Sequence, residues 1–202
     1  ESGLTCENHL LPLHEREAQL LRYHIRTYCL TQDCRADCHT AELPFRIVLQ
    51  GNRGTGRHTL LRRLCREQSV SAIFVNPERM WGEERSLWER NLRTLRLYCR
   101  LAVRTVVLEL TGDWSETAPD IKRRTERMNC LVTESLKEIP VIFLTETTAG
   151  TRMAGQFARL WLELTQRLTL EEQKMALEAW LPPDERRSWQ LPLLEKYRLN
   201  IG

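Results

Sequence analysis

Apolar and polar positions alternate along this chain in two rhythms, and the switches between them divide it into elements. Residues 10–30 carry Leu13, Ala18, Leu20, Leu21, His24, Ile25 and Leu30 near helical spacing, which predicts a long amphipathic helix. A polar stretch over 31–43 reads as a loop. Short apolar runs then recur at 45–49, 71–75, 105–110, 140–144 and 161–164, and each reads as a buried strand. Helical patterns separate them over 57–67, 84–101 and 119–138, the last with Ser115 or Thr117 as candidate caps. Strands that alternate with helices and are apolar along their whole length belong in a parallel sheet covered on both faces. The expected fold class is therefore α/β, a P-loop NTPase-like parallel five-stranded sheet flanked by helices. After about residue 168 the rhythm becomes helical only. A helix is predicted over 169–180, with Thr169 and Glu172 as a capping box, then Pro182-Pro183 and two short helices over 184–189 and 191–197. The expected organisation is an N-terminal helix and linker (1–43), a nucleotide-binding-type core (44–168) and a partial helical lid (169–202).

Composition narrows the class. The chain has 202 residues, 42% of them apolar and 28% charged, enough for one α/β domain and a small appendage. Thirty basic residues against 27 acidic ones give a net charge of +3, too balanced to argue for nucleic acid. Local basic clusters do occur, at Arg62, Arg63 and Arg66, at Arg85, Arg90, Arg93, Arg96 and Arg100, and at Arg123, Arg124 and Arg127. Acids are interspersed, so these read as solvated helix faces. No apolar run reaches the length of a membrane span, and no membrane partner is expected. Seven cysteines without a regular framework, and no charged-then-apolar leader, fit a reducing, cytoplasmic setting.

The candidate chemistry starts at Gly51-Asn52-Arg53-Gly54-Thr55-Gly56-Arg57-His58. The pattern of a phosphate-binding loop is G-x-x-x-x-G-K-[ST], set between a strand and a helix. The glycines and the setting match. Backbone N–H groups in such a turn point at an anion, and the helix dipole adds to the attraction. Two positions depart. Arg57 stands where lysine would meet phosphate, with a bulkier, forked head. His58 stands where a Ser/Thr hydroxyl would hold magnesium, a hard ion that prefers oxygen. Thr59 comes one residue late. The competing explanation is a tight strand–helix turn that keeps its glycines for backbone geometry alone.

A hydrolytic site also needs an acid on a neighbouring strand for the metal, and a second acid for water. Glu109 near the end of the 105–110 strand fits the first. Leu110 follows it where the second is expected, and Asp113, beyond Gly112, is the substitute candidate. Thr145 at the tip of the 140–144 strand is a candidate reader of the terminal phosphate. Cys29, Cys34, Cys38 and His39 form a C-x4-C-x3-C-H run with the ligand types of a zinc site, but the spacing is not the paired C-x-x-C of common zinc modules, and free thiols are expected.

These residues together resemble an AAA+ module, over about residues 10–202. The loop Gly51–Gly56, the acid-bearing strand, the polar strand tip at Thr145 and the terminal helical segment carry the resemblance. The tail also resembles the Cdc48-like AAA+ ATPases associated with contractile injection systems, through Trp180-Leu181-Pro182, Arg186, Trp189, Leu193-Leu194 and Tyr197-Arg198-Leu199. The resemblance implies ATP or ADP as ligand, held by Gly51, Gly54, Thr55, Gly56, Arg57, His58, Thr59 and Thr145. It implies Glu109 and Asp113 as the catalytic acids, and other AAA+ subunits or a companion AAA+ domain as partners. Arg152 and Arg159 precede the fifth strand, where an inter-subunit arginine finger would lie. With lysine, Ser/Thr and the second acid all replaced, magnesium is not expected to be held. The expectation is a degenerate, regulatory or structural module with nucleotide binding weak or absent and no hydrolysis. The alternatives are an active ATPase with atypical Walker residues, and a DNA-processing module of the initiator or clamp-loader type.

Overall fold

The structure, a computed structural model, describes residues 14–33, 44–52, 55–81, 85–101 and 105–164, with the backbone alone at 28–33 and 85. The expected lid and the Cys34, Cys38 and His39 positions lie outside the described residues. Five strands form one all-parallel sheet: β1 (Arg46–Gln50), β2 (Ala72–Val75), β3 (Thr105–Leu110), β4 (Val141–Thr145) and β5 (Leu160–Glu163). Their order is β2-β3-β4-β1-β5. The α/β class and the five parallel strands read from the sequence are what the chain adopts.

The helices are α1 (Glu15–Asp33), α2 (Arg57–Glu67), α3 (Pro77–Trp81), α4 (Arg85–Leu101), α5 (Ile121–Asn129) and α6 (Thr148–Gly155). The alternation of side chains along each strand sorts them onto two faces. Ile47, Leu49, Val107, Ile142, Leu144 and Leu162 pack with Leu21 and Ile25 of α1 and Leu60, Leu61 and Leu64 of α2. Val48, Val106, Leu108, Leu110, Val141 and Phe143 pack with Trp88, Leu92, Leu95 and Cys99 of α4, Met128 of α5 and Met153 of α6. A sheet apolar on both faces must be covered on both, which is why the central strands read as unbroken apolar runs.

Three local features depart from the expected pattern. The predicted 119–138 helix begins at Ile121 and passes at Cys130–Ser135 into a π-helical turn. Its N-cap is Asp120 with φ +65°, not Ser115 or Thr117, whose hydroxyls lie 3.2 Å from each other. The short helices α3 and α6 have no periodic signal in the sequence, because five and eight residues hold too few turns to show one. Helix α6 does carry a cap: Thr147 Oγ1 accepts the Gly150 N–H at 3.0 Å.

Candidate functional site at the carboxyl ends of β1 and β4

Strands β1 and β4 are neighbours whose chains leave in opposite directions. From β1 the chain crosses to the far edge strand β2 through α2, on one face. From β4 it crosses over β1 to β5 through α6, on the other face. Adjacent strands whose connections part to opposite faces open a crevice beyond their carboxyl ends, the usual ligand position in open α/β sheets. The glycine loop and the tip of β4 both lie there.

Gly51 follows the last residue of β1 and donates its N–H to the Thr145 carbonyl at 3.1 Å. A Cβ at Gly51 would come within 2.7 Å of Thr55 Oγ1 and 3.3 Å of Leu164, so this glycine is fixed by close packing. Thr55 closes the turn through its N–H and hydroxyl, both donated to the Asn52 carbonyl at 3.2 and 2.9 Å. Gly56 takes φ +78° as the N-cap of α2, a left-handed conformation that costs an L-residue strain. Gly54 lies outside the described residues. Thr59 is exposed on the first turn of α2.

Arg57 is only 5% exposed. Its guanidinium donates to the Thr145 carbonyl and pairs with Glu146 Oε1 at 2.7 Å. A buried guanidinium needs an anion, and the residue after β4 supplies it. Glu146 is the partner that sequence reasoning missed. The signal for it was Arg57 itself, a cation aimed at a crevice with a carboxylate one residue beyond the strand tip.

His58 Nε2 lies 2.8 Å from Glu109 Oε1. Strand alternation explains the meeting. Glu109 shares the parity of Val107 and therefore points to the α2 side of the sheet. The imidazole also stacks on Phe74 of β2, with ring centroids 5.8 Å apart, and Arg62 lies over the same ring at 5.3 Å. The imidazole and the carboxylate thus hold each other.

The remaining candidates are placed elsewhere. Thr145 shares the parity of Val141 and Phe143, so its side chain turns toward α6 and its hydroxyl lies 2.8 Å from Thr151 Oγ1. Among the described residues of the loop, Gly51 and Arg57 bond its carbonyl. Leu110 is fully buried in the core on that same side. Asp113 is exposed, and its carboxylate accepts the Ser115 N–H at 2.9 Å. That hydrogen bond, with a lesser pull from Arg124, holds its carboxyl below the usual range. Arg152 is exposed on α6, 3.4 Å from an equally open Glu116, and Arg159 is exposed just before β5. Among the described residues no cluster of three or more His, Cys, Asp or Glu side chains is arranged to hold a metal. No described helix is long and apolar enough to cross a membrane. No family model matches this chain, and no curated protein matches it.

Proposed function

We propose that this chain is a degenerate AAA+ module of the P-loop type, a regulatory or structural part of a larger ATPase that binds nucleotide weakly or not at all and does not hydrolyse it. One observation carries the reading. The two side chains at the lysine and Ser/Thr positions of the loop are each closed onto a carboxylate of the chain itself, Arg57 on Glu146 and His58 on Glu109.

A phosphate loop works by offering an unspent cation and a magnesium-holding oxygen. Arg57 already turns both terminal nitrogens of its guanidinium to the chain itself, one to the Thr145 carbonyl and one to Glu146. To meet a phosphate it must give up a nearly buried pair, and breaking such a pair costs about 3–5 kcal/mol when the other charge stays buried, less where, as at Glu146, solvent reaches it. His58 offers nitrogen where a hard cation takes oxygen, and it occupies Glu109, the one acid on β3 that faces α2. The position after Glu109 is a core leucine, and the Asp113 carboxylate is engaged in its own turn.

The test is titration calorimetry of the chain with ATP and with ADP, with and without magnesium, beside a steady-state phosphate-release assay. The expected outcome is no magnesium-dependent turnover and no tight binding. Robust magnesium-dependent turnover sinks the reading. Micromolar binding without turnover keeps it and makes the module a nucleotide-responsive one.

A further inference from the structure

Helix α4 carries two apolar stripes, and the fold uses one. Trp88, Leu92, Leu95 and Cys99 recur at spacings of three and four and are buried against the sheet. Leu97 and Leu101, also four apart, fall half a turn away on the outer face, where they are 57% and 75% exposed, with Tyr98 beside them at 55%. Six large apolar side chains are exposed among the described residues, and three of the six sit in the last five positions of this one helix. Scattered single exposures are ordinary, but a cluster opposite a satisfied core stripe is not explained by folding.

The charges that the second half of α4 places around the cluster are all basic. Arg90 and Arg93 precede Leu97 on the same face, and Arg100 flanks it, all exposed. Among the described residues no carboxylate pairs with any of these three, whereas Arg22, Arg57, Arg63 and Arg124 each have one. The helix has five arginines and a single acid, Glu89.

We propose that the outer face of α4 docks an acidic amphipathic helix of a partner protein. The partner's apolar stripe covers Leu97, Tyr98 and Leu101, and its carboxylates meet Arg90, Arg93 and Arg100. A helix laid on this face presents side chains at the same three- and four-residue spacing, so one register satisfies both sets. A nucleic acid would pair with the arginines but leave the two leucines wet. A membrane would need a broader apolar face, and the other stripe of α4 is committed to the core.

The test measures fluorescence anisotropy of a labelled synthetic Leu/Glu amphipathic helix against the full chain, with a Leu/Lys helix of the same apolar stripe as control. Single-stranded oligothymidylate and anionic phosphatidylserine vesicles are run beside it. Two double variants are compared, Leu97→Ser with Leu101→Ser, and Arg93→Glu with Arg100→Glu. All four positions are exposed, and matching thermal melts establish that both variants fold. The acidic helix is expected to bind the native chain, the basic helix not to, and each variant to weaken binding by about tenfold or more. The proposal is overturned if the acidic helix does not bind, if either variant binds it as well as the native chain, or if oligothymidylate or vesicles bind instead.

Discussion

Gly56 and Arg57 are neighbours in sequence, yet they matter for different physical reasons. Gly56 holds φ +78° with open space where a Cβ would go, so Gly56→Ala meets backbone strain and no clash. The expected loss is about 1 kcal/mol, read as a shift in urea midpoint. Arg57→Ala leaves Glu146 without its cation and the Thr145 carbonyl with one donor fewer. The cost expected in the same experiment is larger, about 2–3 kcal/mol, since hydrogen bonds to charged groups are worth about that much and Glu146 keeps some solvent. No measurable loss for Arg57→Ala would mean that the Arg57–Glu146 pair contributes no stability. Cys99 adds a chemical reading at the same scale. Burial raises its thiol pKa to about 11, so at pH 8 it is almost wholly protonated and shielded. Iodoacetamide labelling followed by peptide mapping should find Cys99 unmodified in the native protein and modified in urea.

Between elements, α1 is fastened to α2 through a charged clamp as well as through its apolar face. Glu67 near the end of α2 accepts from Arg22 of α1 at 3.1 Å and from Arg63 one turn earlier on α2. Burial alone would raise the Glu67 pKa, but the hydrogen bonds from Arg63 and Arg22 outweigh it and the net shift is downward from 4.5. A carboxyl whose folded pKa lies below its unfolded one adds stability above the unfolded value and loses it as pH falls through the folded value. Stability of the native chain should therefore fall below about pH 4.5 more steeply than that of Glu67→Gln, and the gap between them should narrow as acid is added. Parallel urea titrations at neutral pH and in acid check this; a gap that does not change with pH removes Glu67 from the clamp. The amphipathic pattern made α1 legible in the sequence, whereas the clamp was not, because Arg22 and Glu67 are 45 residues apart.

In the whole molecule, both layers of helices depend on the three central strands. Phe143 is fully buried in β4 and stacks on Phe157 after α6 at 6.0 Å. Phe143→Ala opens a cavity between the sheet and the α4–α6 layer, and a loss of about 3–5 kcal/mol is expected in calorimetric or denaturant unfolding. A loss under about 1 kcal/mol would mean that this layer is loosely packed.

Period and punctuation in the sequence determined the strands, the longer helices and the glycine turn after β1, because those signals are local. The short helices α3 and α6 escaped for want of periods, and the start of α5 for want of a side-chain cap at Asp120. The sequence also marked Arg57, His58, Glu109 and Thr145 as the residues to watch. What each one does was decided by the sheet. Strand order brought the tip of β4 beside β1 and so gave Arg57 its carboxylate, Glu146. Strand parity sent Glu109 to the α2 face, where it meets His58, and sent the Thr145 hydroxyl the other way, to Thr151. Pairings across 51 and 89 residues depend on register and topology, which no local pattern encodes.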